Sequence, residues 1–370
     1  MSELYELPAG WEWKKLGTVL NVQNGYAFDS KLFSEEIGEQ LIRIRDLKNG
    51  FKTVSKFTGS YDEKFIVRKN DFLIGMDGDF VCYRWKGENS LLNQRVCRLI
   101  DFESSLNANY IFYGINKFLD DIHKVTAFVT VKHISSKQIK EINFPVPPLK
   151  EQTRIVSKLD TLFEKIDKSI ALHQKNMDEA DVFMGSVLND VFGELEEKYE
   201  KQVWNEVLKI KNGKHYKDVI DDNGQYPIYG SGGIMNYAND YLCNENTVII
   251  GRKGTINNPL FVKEKFWNID TAFGIEANKD VLLPMFLFYF SKHFNFLDLN
   301  KSTTLPSLAK THLLQIMMVL PPLNIQQKIL TYLDKISKKI EKIKSVQKEK
   351  MESLVALKAS ILDQAFRGEL

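Results

Sequence analysis

The chain has 370 residues, 44% hydrophobic and 26% charged, with 50 Lys/Arg against 48 Asp/Glu. That is length enough for two or more domains of ordinary water-soluble composition. A net charge of +2 excludes a uniformly basic coat for nucleic acid, so any such surface has to be local. The opening MSELYELPAGW lacks the basic-then-apolar pattern of a signal peptide. The most apolar run, VLLPMFLFYFSKHF from Val281, is too short and too interrupted to span a bilayer. Cys82, Cys97 and Cys243 show no ligand spacing and leave an odd one over, which reads as a reducing cytosol and no structural metal.

In chain order, residues 1–149 read as a first globular head, 150–195 as a long helix, 196–323 as a second head and 324–370 as a second long helix. The division comes from an internal repeat. PVPPLKEQTRIVSKLD from Pro145 returns as VLPPLNIQQKILTYLD from Val319, with Pro147 and Pro321 lying 174 positions apart. The same offset carries Leu159-Asp160 onto Leu333-Asp334, Met177 onto Met351 and Phe192 onto Phe366, and the copies close on FGEL and FRGEL. The heads repeat more loosely. LGTVLNVQNG from Leu16 matches WNEVLKIKNG from Trp204, and LIGMDGDF from Leu73 matches IIGRKGTI from Ile249. YIFYGI from Tyr110 matches FLFYFS from Phe286, and TVKHI from Thr130 matches TLPSL from Thr304. Between the Asn-Gly and Ile-Gly landmarks the first head has 50 positions (Gly25 to Gly75) and the second 38 (Gly213 to Gly251), so the difference of 12 falls in loops. A constant frame with variable loops suits a recognition module; plain drift after duplication would leave the same mark.

The prolines exclude the preceding residues from a helix, so each long helix starts after them. Asn324 is placed to cap the second with Gln327 completing a capping box, and Glu151 suits the start of the first. Gly193 and Gly368 sit where left-handed C-terminal caps are expected. Apolar steps of three and four define a seam: Ile155, Leu159, Leu162, Ile166, Met177, Met184 and Val187 in the first, and Ile329, Leu333, Ile336, Ile340, Ile343, Met351, Leu354 and Ile361 in the second. Both seams turn polar at equivalent positions, His173 and Gln347, where a register-setting role competes with an ordinary partly solvated layer. Residues 151–195 carry 5 Lys/Arg against 9 Asp/Glu and residues 325–370 carry 10 against 6, so each helix favours the other over a copy of itself. The second helix can return along the first only if antiparallel. The expected fold is α+β: two α/β heads held apart by a two-helix antiparallel coiled coil, with approximate twofold symmetry and the chain ends meeting near the first head.

No phosphate-binding G-x-x-x-x-G-K-[ST], no G-x-S-x-G and no methyltransferase motif is present, NNPL at Asn257 failing the last test, and six scattered histidines show no metal spacing. The heads do carry basic residues mixed with aromatics and amides. In the first these are Arg43, Arg45, Lys48 and Lys52, then Arg84, Trp85 and Lys86, then Asn93, Gln94 and Arg95. In the second they are Lys214, His215, Tyr216 and Lys217, then Tyr229 and Ser231, then Arg252 and Lys253. Arg reads guanine and Asn or Gln reads adenine through paired hydrogen bonds, and glycines beside Arg252 and Lys253 let main chain approach a phosphate. Solvated surface loops would hold the same residues.

LPAGWEWKKLG, LIRIRDL, DFLIGMDGDF, LLNQRV, YPIYGSGGIMNY, VIIGRKGTI, FWNIDTAF, the two PPL…Q helix starts and the closing FRGEL, in this order, resemble the specificity subunit of type I restriction–modification systems. The resemblance covers essentially the whole chain. It implies that the heads are target-recognition domains, each reading half of a bipartite site in double-stranded DNA, and that the coiled coil docks two modification (methyltransferase) subunits which restriction (endonuclease/translocase) subunits join. It implies a non-catalytic, cytoplasmic chain without a cofactor of its own. S-adenosylmethionine would then belong to the methyltransferase subunits, and ATP with Mg to the restriction subunits. A scaffold whose heads bind protein or glycan, or a regulatory variant that binds methyltransferase subunits without reading DNA, stays open on the residues alone.

Overall fold

The computed structural model describes residues 5–48, 51–126, 133–300 and 305–370. The repeat positions Thr130 and Thr304 lie outside them. The chain forms two compact units, Met1–Ile170 with Met351–Leu370, and Ala171–Lys350. Each takes one head and part of both long helices.

The first unit is built on a four-stranded antiparallel sheet in the order Asn21–Asn24, Val96–Ile100, Phe72–Gly75, Cys82–Arg84. The helix Ala108–Thr126 closes its core, with Tyr110, Ile111, Ile115 and Leu119 buried together with Val22, Phe72, Ile74 and Leu99. A second sheet of five short strands includes the parallel pair Glu39–Ile42 and Ser90–Leu92. Buried Arg98 ties the two sheets together: its guanidinium donates to Asp71 Oδ2 (2.7 Å), Ile66 O (2.7 Å), Gln23 Oε1 (2.7 Å) and Lys64 O (2.8 Å). A two-stranded ribbon, Glu12–Lys15 with Asn143–Val146, leads into the first long helix.

The second unit repeats this plan. Its sheet runs Leu208–Asn212, Ala272–Ala277, Thr247–Gly251, Leu260–Val262, the helix Pro284–His293 closes the core, and the ribbon is Lys201–Val203 with Met317–Val319. Its second sheet has only three strands, Tyr226–Gly230, Gly233–Ala238 and Trp267–Asn268, so the shorter stretch of the second head is accounted for there.

The long helices span Leu149–Lys198 and Leu323–Arg367. Within each unit they lie antiparallel. In the first, Asp167 pairs with Lys358 (2.8 Å) and Arg154 donates to Leu370 O (2.7 Å); in the second, Asp181 pairs with Lys344 (2.7 Å) and His173 Nδ1 lies 2.5 Å from Gln347 Oε1. The polar layer therefore joins two residues that are each other's repeat equivalents. Ile155, Leu159, Ile166, Val187, Leu333, Ile340 and Ile361 are buried, and Leu162, Met177, Met184, Ile329, Ile336, Met351 and Leu354 half-buried. Ile343 departs from the expected seam: it is 47% exposed.

The ends of the helices explain why the chain repeats its phrases. Gln152 and Gln326 are fully buried. Gln152 donates to Pro147 O (2.8 Å) and Ser105 O (3.0 Å) and accepts from Asn107 N (2.8 Å). Gln326 does the same with Pro321 O (2.8 Å), Val281 O (2.8 Å) and Leu283 N (2.9 Å). At the far ends, Phe366 packs against Tyr110 and Phe144, and Phe192 against Phe286 and Phe290. Each head thus grips the start of one long helix and the end of the other.

Two expected caps differ. Each helix begins right after the second proline, whose carbonyl takes the first turn's N–H groups, so Asn324 falls inside the first turn. The first helix continues past Gly193 to Lys198 because Leu195 is still buried against its head; Gly368 does adopt the left-handed conformation, at φ +77°.

Candidate nucleic-acid interface

At one end of each four-stranded sheet three loops are knit together by main-chain hydrogen bonds. In the first unit Gly25 N donates to Val96 O (3.0 Å), Tyr26 N to Leu92 O (2.9 Å), Met76 N to Arg95 O (2.9 Å) and Ile134 N to Met76 O (2.8 Å). In the second, Gly213 N donates to Ala272 O (3.2 Å), Lys214 N to Asn268 O (3.0 Å), Arg252 N to Thr271 O (2.7 Å) and Leu308 N to Arg252 O (2.9 Å). The repeated Asn-Gly is required by this approach. A Cβ on Gly25 would lie 2.0 Å from Asn93 O, and one on Gly213 1.8 Å from Ile269 O.

On this platform the first head sets Asp77, Arg95 and His133. Asp77 Oδ1 lies 2.7 Å from His133 Nδ1 and 3.4 Å from Arg95 Nη1. Arg95 holds a left-handed backbone, φ +72°, uncommon for a residue with a side chain, and its side chain is 56% exposed. Exposed Gln94 and Tyr26 flank it, with Gln94 N donating to Tyr26 O (2.9 Å). The short helix Ile44–Lys48 packs beside Gly75, and Lys48 pairs with Asp79 of the neighbouring loop. Lys48 and Arg95 are thus each paired with a carboxylate of the loop after Gly75, Asp79 and Asp77, with exposed Gln94 next to Arg95 and exposed Arg45 on the helix of Lys48. A guanidinium held by one carboxylate can present paired donors to a guanine edge or to a phosphate.

The second head puts different chemistry on the same main-chain positions. Lys253 and Ser307 form the bridge that Asp77 and His133 form in the first head, and Thr271 stands where Arg95 stands. Exposed Lys214 takes the place of Tyr26, and exposed Arg252 that of Met76, its Nη1 3.5 Å from Asp270 O. Ser231 rests against this loop: a Cβ on Gly251 would lie 3.1 Å from Ser231 Cβ.

Other expected contacts are placed elsewhere. Trp85 is a core residue, fully buried with its indole N–H on Glu88 O (2.8 Å), and leaves no face for a base. Arg84 donates to Asn109 Oδ1 (2.9 Å) and lies 4.9 Å over the Phe112 ring, fastening a sheet edge to the head's helix. With Lys86, exposed over Phe51, it sits at the far end of the strand from Gly75. Asn93 is buried, and its contribution is the carbonyl that Gly25 approaches. Arg43 stacks half-buried on Phe33 (5.3 Å), and Lys52 is exposed. Tyr229 is half-buried against Phe266, and burial raises its hydroxyl pKa. Tyr216 packs in a small core beside Trp267, while His215 stacks on it and Lys217 lies exposed. Asp77, His133 and Ser307 were not expected from composition, although the alignment of TVKHI with TLPSL already set His133 opposite Ser307.

The three cysteines are buried. Burial pushes the Cys97 and Cys243 thiols up to about 12 and Cys82 further still, so none offers a thiolate nucleophile. Among the described residues no cluster of three or more His, Cys, Asp or Glu could hold a metal, and no helix is long and apolar enough to cross a membrane.

Residues 8–176 and 196–352 each match the family model for the type I restriction modification DNA specificity domain. The chain is 38% identical over 169 residues to the type I restriction enzyme EcoBI specificity subunit of Escherichia coli and 31% over 179 residues to the EcoAI specificity subunit. Those matches take in 45% and 44% of this chain but only 35% and 30% of the two relatives, about a third of their length. The putative MjaX specificity subunit of Methanocaldococcus jannaschii is 24% identical over a 413-residue alignment covering 100% of this chain and 96% of that protein. A solved chain, described under "Structural basis underlying complex assembly and conformational transition of the type I R-M system", has the same fold with a TM-score of 0.67 at 20% identity, covering 99% of this chain and 100% of that one.

Proposed function

The chain belongs to the type I restriction–modification DNA specificity family, and we propose that it is the sequence-reading subunit of such a system, each head reading one half of a bipartite DNA site. The observation that carries this reading is the pair of loop platforms, alike in main-chain hydrogen bonding and different in exposed side chains. Two readers of one architecture and unlike chemistry suit a site made of two unlike halves. Each correctly read base pair is worth about 1–3 kcal/mol against a wrong one, so a short half-site alone is weakly selective and two joined readers are not. The chain supplies recognition only. Methylation with S-adenosylmethionine, and translocation and cleavage with ATP and Mg, are assigned to partner subunits.

Two modification subunits would dock on the long helices. In the second unit these present exposed Leu172, Phe183, Tyr332 and Ile343, and a groove of about 520 Å³ between Val191 of one helix and Ile329 and Tyr332 of the other. Unbroken helices also suit a spacer ruler, because one extra base pair moves the far half-site by about 3.4 Å and turns it by about 35°. Inserting four residues into both helices, about 6 Å each, is expected to change the preferred spacer. Methylome sequencing of a host expressing the variant with its methyltransferase reads the outcome, and an unchanged spacer would remove the ruler. Gel shift of the reconstituted complex tests the reading as a whole: specific duplex is expected to bind far better than scrambled duplex at moderate salt. Equal affinity would leave a scaffold instead.

A further inference from the structure

We propose that the second head recognises thymine methyl groups in the major groove through Met235. This rests on the DNA-reading role assigned above and names the chemistry of one half-site.

The two heads part company at one point. Ile42 and Tyr229 are equivalent, each the last paired residue of the parallel strand, opposite Leu92 and Asn268 respectively. After it the first head continues into the basic turn containing Arg43, Arg45 and Lys48, whereas the second folds a tight hairpin, Tyr226–Gly230 against Gly233–Ala238. The turn of this hairpin, at Ser231, lies on the platform loop that starts at Gly251.

Pairing in the hairpin slips between Ile228 and Tyr229. Ile228 pairs with Asn236 and Tyr229 with Ile234, so Met235 is the extra, bulged residue. A bulge re-aims its side chain. That of Met235 folds over Gly230: a Cβ there would lie 2.9 Å from Met235 Sδ and 3.5 Å from Ile269 Cδ1, the residue that opens the Ile269–Thr271 loop of the platform. Met235 is nonetheless 55% exposed and its neighbour Ile234 53%. An apolar tip is therefore seated against Ile269, and the Asn268–Thr271 segment that contains it takes main-chain hydrogen bonds from exposed Lys214, Arg252 and Lys253, basic residues that would draw phosphates to this loop cluster.

A duplex offers an apolar side chain few partners in its grooves. Among base edges in the major groove, the C5 methyl of thymine is the apolar one. Methionine suits it, being flexible, unbranched and polarizable. Base stacking would be the other apolar partner, but reaching it requires wedging a step open. The small Ser231–Gly232 turn and a thioether already laid against Gly230 favour contact over a wedge.

The test uses the full chain reconstituted with its modification subunits, on the duplex identified by methylome sequencing. The half-site that is unaffected by Arg95→Ala belongs to the second head. Each thymine is replaced in turn by deoxyuridine, which differs by that methyl alone. At one or more thymines of the second half-site the replacement is expected to weaken binding about fourfold, the worth of one methyl group removed from water. Met235→Ala should erase the difference between thymine and deoxyuridine, Met235→Leu should keep it, and Gly230→Ala, which displaces the thioether, should reduce it. Methyl-insensitive thymines throughout that half-site, or discrimination that survives Met235→Ala, would overturn the proposal while leaving DNA reading intact. So would enhanced 2-aminopurine fluorescence at a base step together with indifference to deoxyuridine, which marks a wedge. A wild-type complex that cannot tell the site from scrambled duplex would overturn both.

Discussion

Gln152→Ala is expected to cost about 3 kcal/mol of local stability, and Gln326→Ala a similar amount in the other unit. Each side chain is fully buried and makes three hydrogen bonds, two to carbonyls and one from a main-chain N–H. Truncation leaves those main-chain groups without their partner, at about 1–3 kcal/mol for each that water cannot reach. A two-unit chain need not unfold in one step, so the loss is best read by amide exchange, unit by unit. The Asn107 amide should exchange about a hundredfold faster in the first variant and the Leu283 amide in the second, each leaving the other unit unchanged. Gln152→Glu is expected to be no rescue at neutral pH, since a carboxylate would face the Pro147 and Ser105 carbonyl oxygens. Exchange rates that move less than about fivefold in both units would mean that the glutamines merely fill space. On the proposed function the consequence would reach DNA reading, because these residues fix how each long helix leaves its head.

That role was half legible in the sequence. The repeated Pro-Pro-Leu followed by Gln is plain to see, but local capping rules favour Asn324 and Gln327, and the residue that matters is Gln326. Two of its three partners, like two of those of Gln152, lie 43 to 47 residues away in the head, where no local rule looks. The same limit explains the candidate contacts. Arg252 and Lys253 stand between glycines and Arg95 follows Asn93 and Gln94, and the pattern finds all three. Trp85 and Asn93 share that basic, aromatic and amide company, yet packing buries both. His133 belongs to the platform only because it comes back 56 residues after Asp77. Met235 carries no nucleic-acid signal at all, since an apolar residue in a strand reads as core until its exposure is known.

The repeat itself was the strongest guide because it constrains the main chain twice. Glycine positions, strand registers and loop hydrogen bonds are kept in both heads, while Asp77, Arg95 and His133 are exchanged for Lys253, Thr271 and Ser307. A frame that tolerates exchange of charge sign at the same spot does not depend on those side chains for its fold. They are therefore free to answer to a ligand.

Arg95→Ala, in the complex with modification subunits, is expected to relax the preference at one base pair of the first half-site by about 5- to 150-fold and to leave the second half-site as it was. Arg95 is exposed and backbone-strained, and it is aimed by Asp77, which also holds His133. Asp77→Asn should keep the guanidinium but loosen its aim, giving a smaller relaxation at the same base pair. The triple exchange Asp77→Lys, Arg95→Thr, His133→Ser goes further: it installs the second head's chemistry on the first head's platform and should redirect the half-site rather than only weaken it. Lys253→Ala, by contrast, is expected to lower affinity for all duplexes alike and to reduce the salt slope by about one, as loss of a phosphate contact does. The two behaviours separate reading from holding. If Arg95→Ala follows the Lys253 pattern, with uniform loss and a shallower salt slope, then Arg95 grips the backbone, and discrimination in the first half-site falls to Gln94 and the basic turn at Arg45 and Lys48.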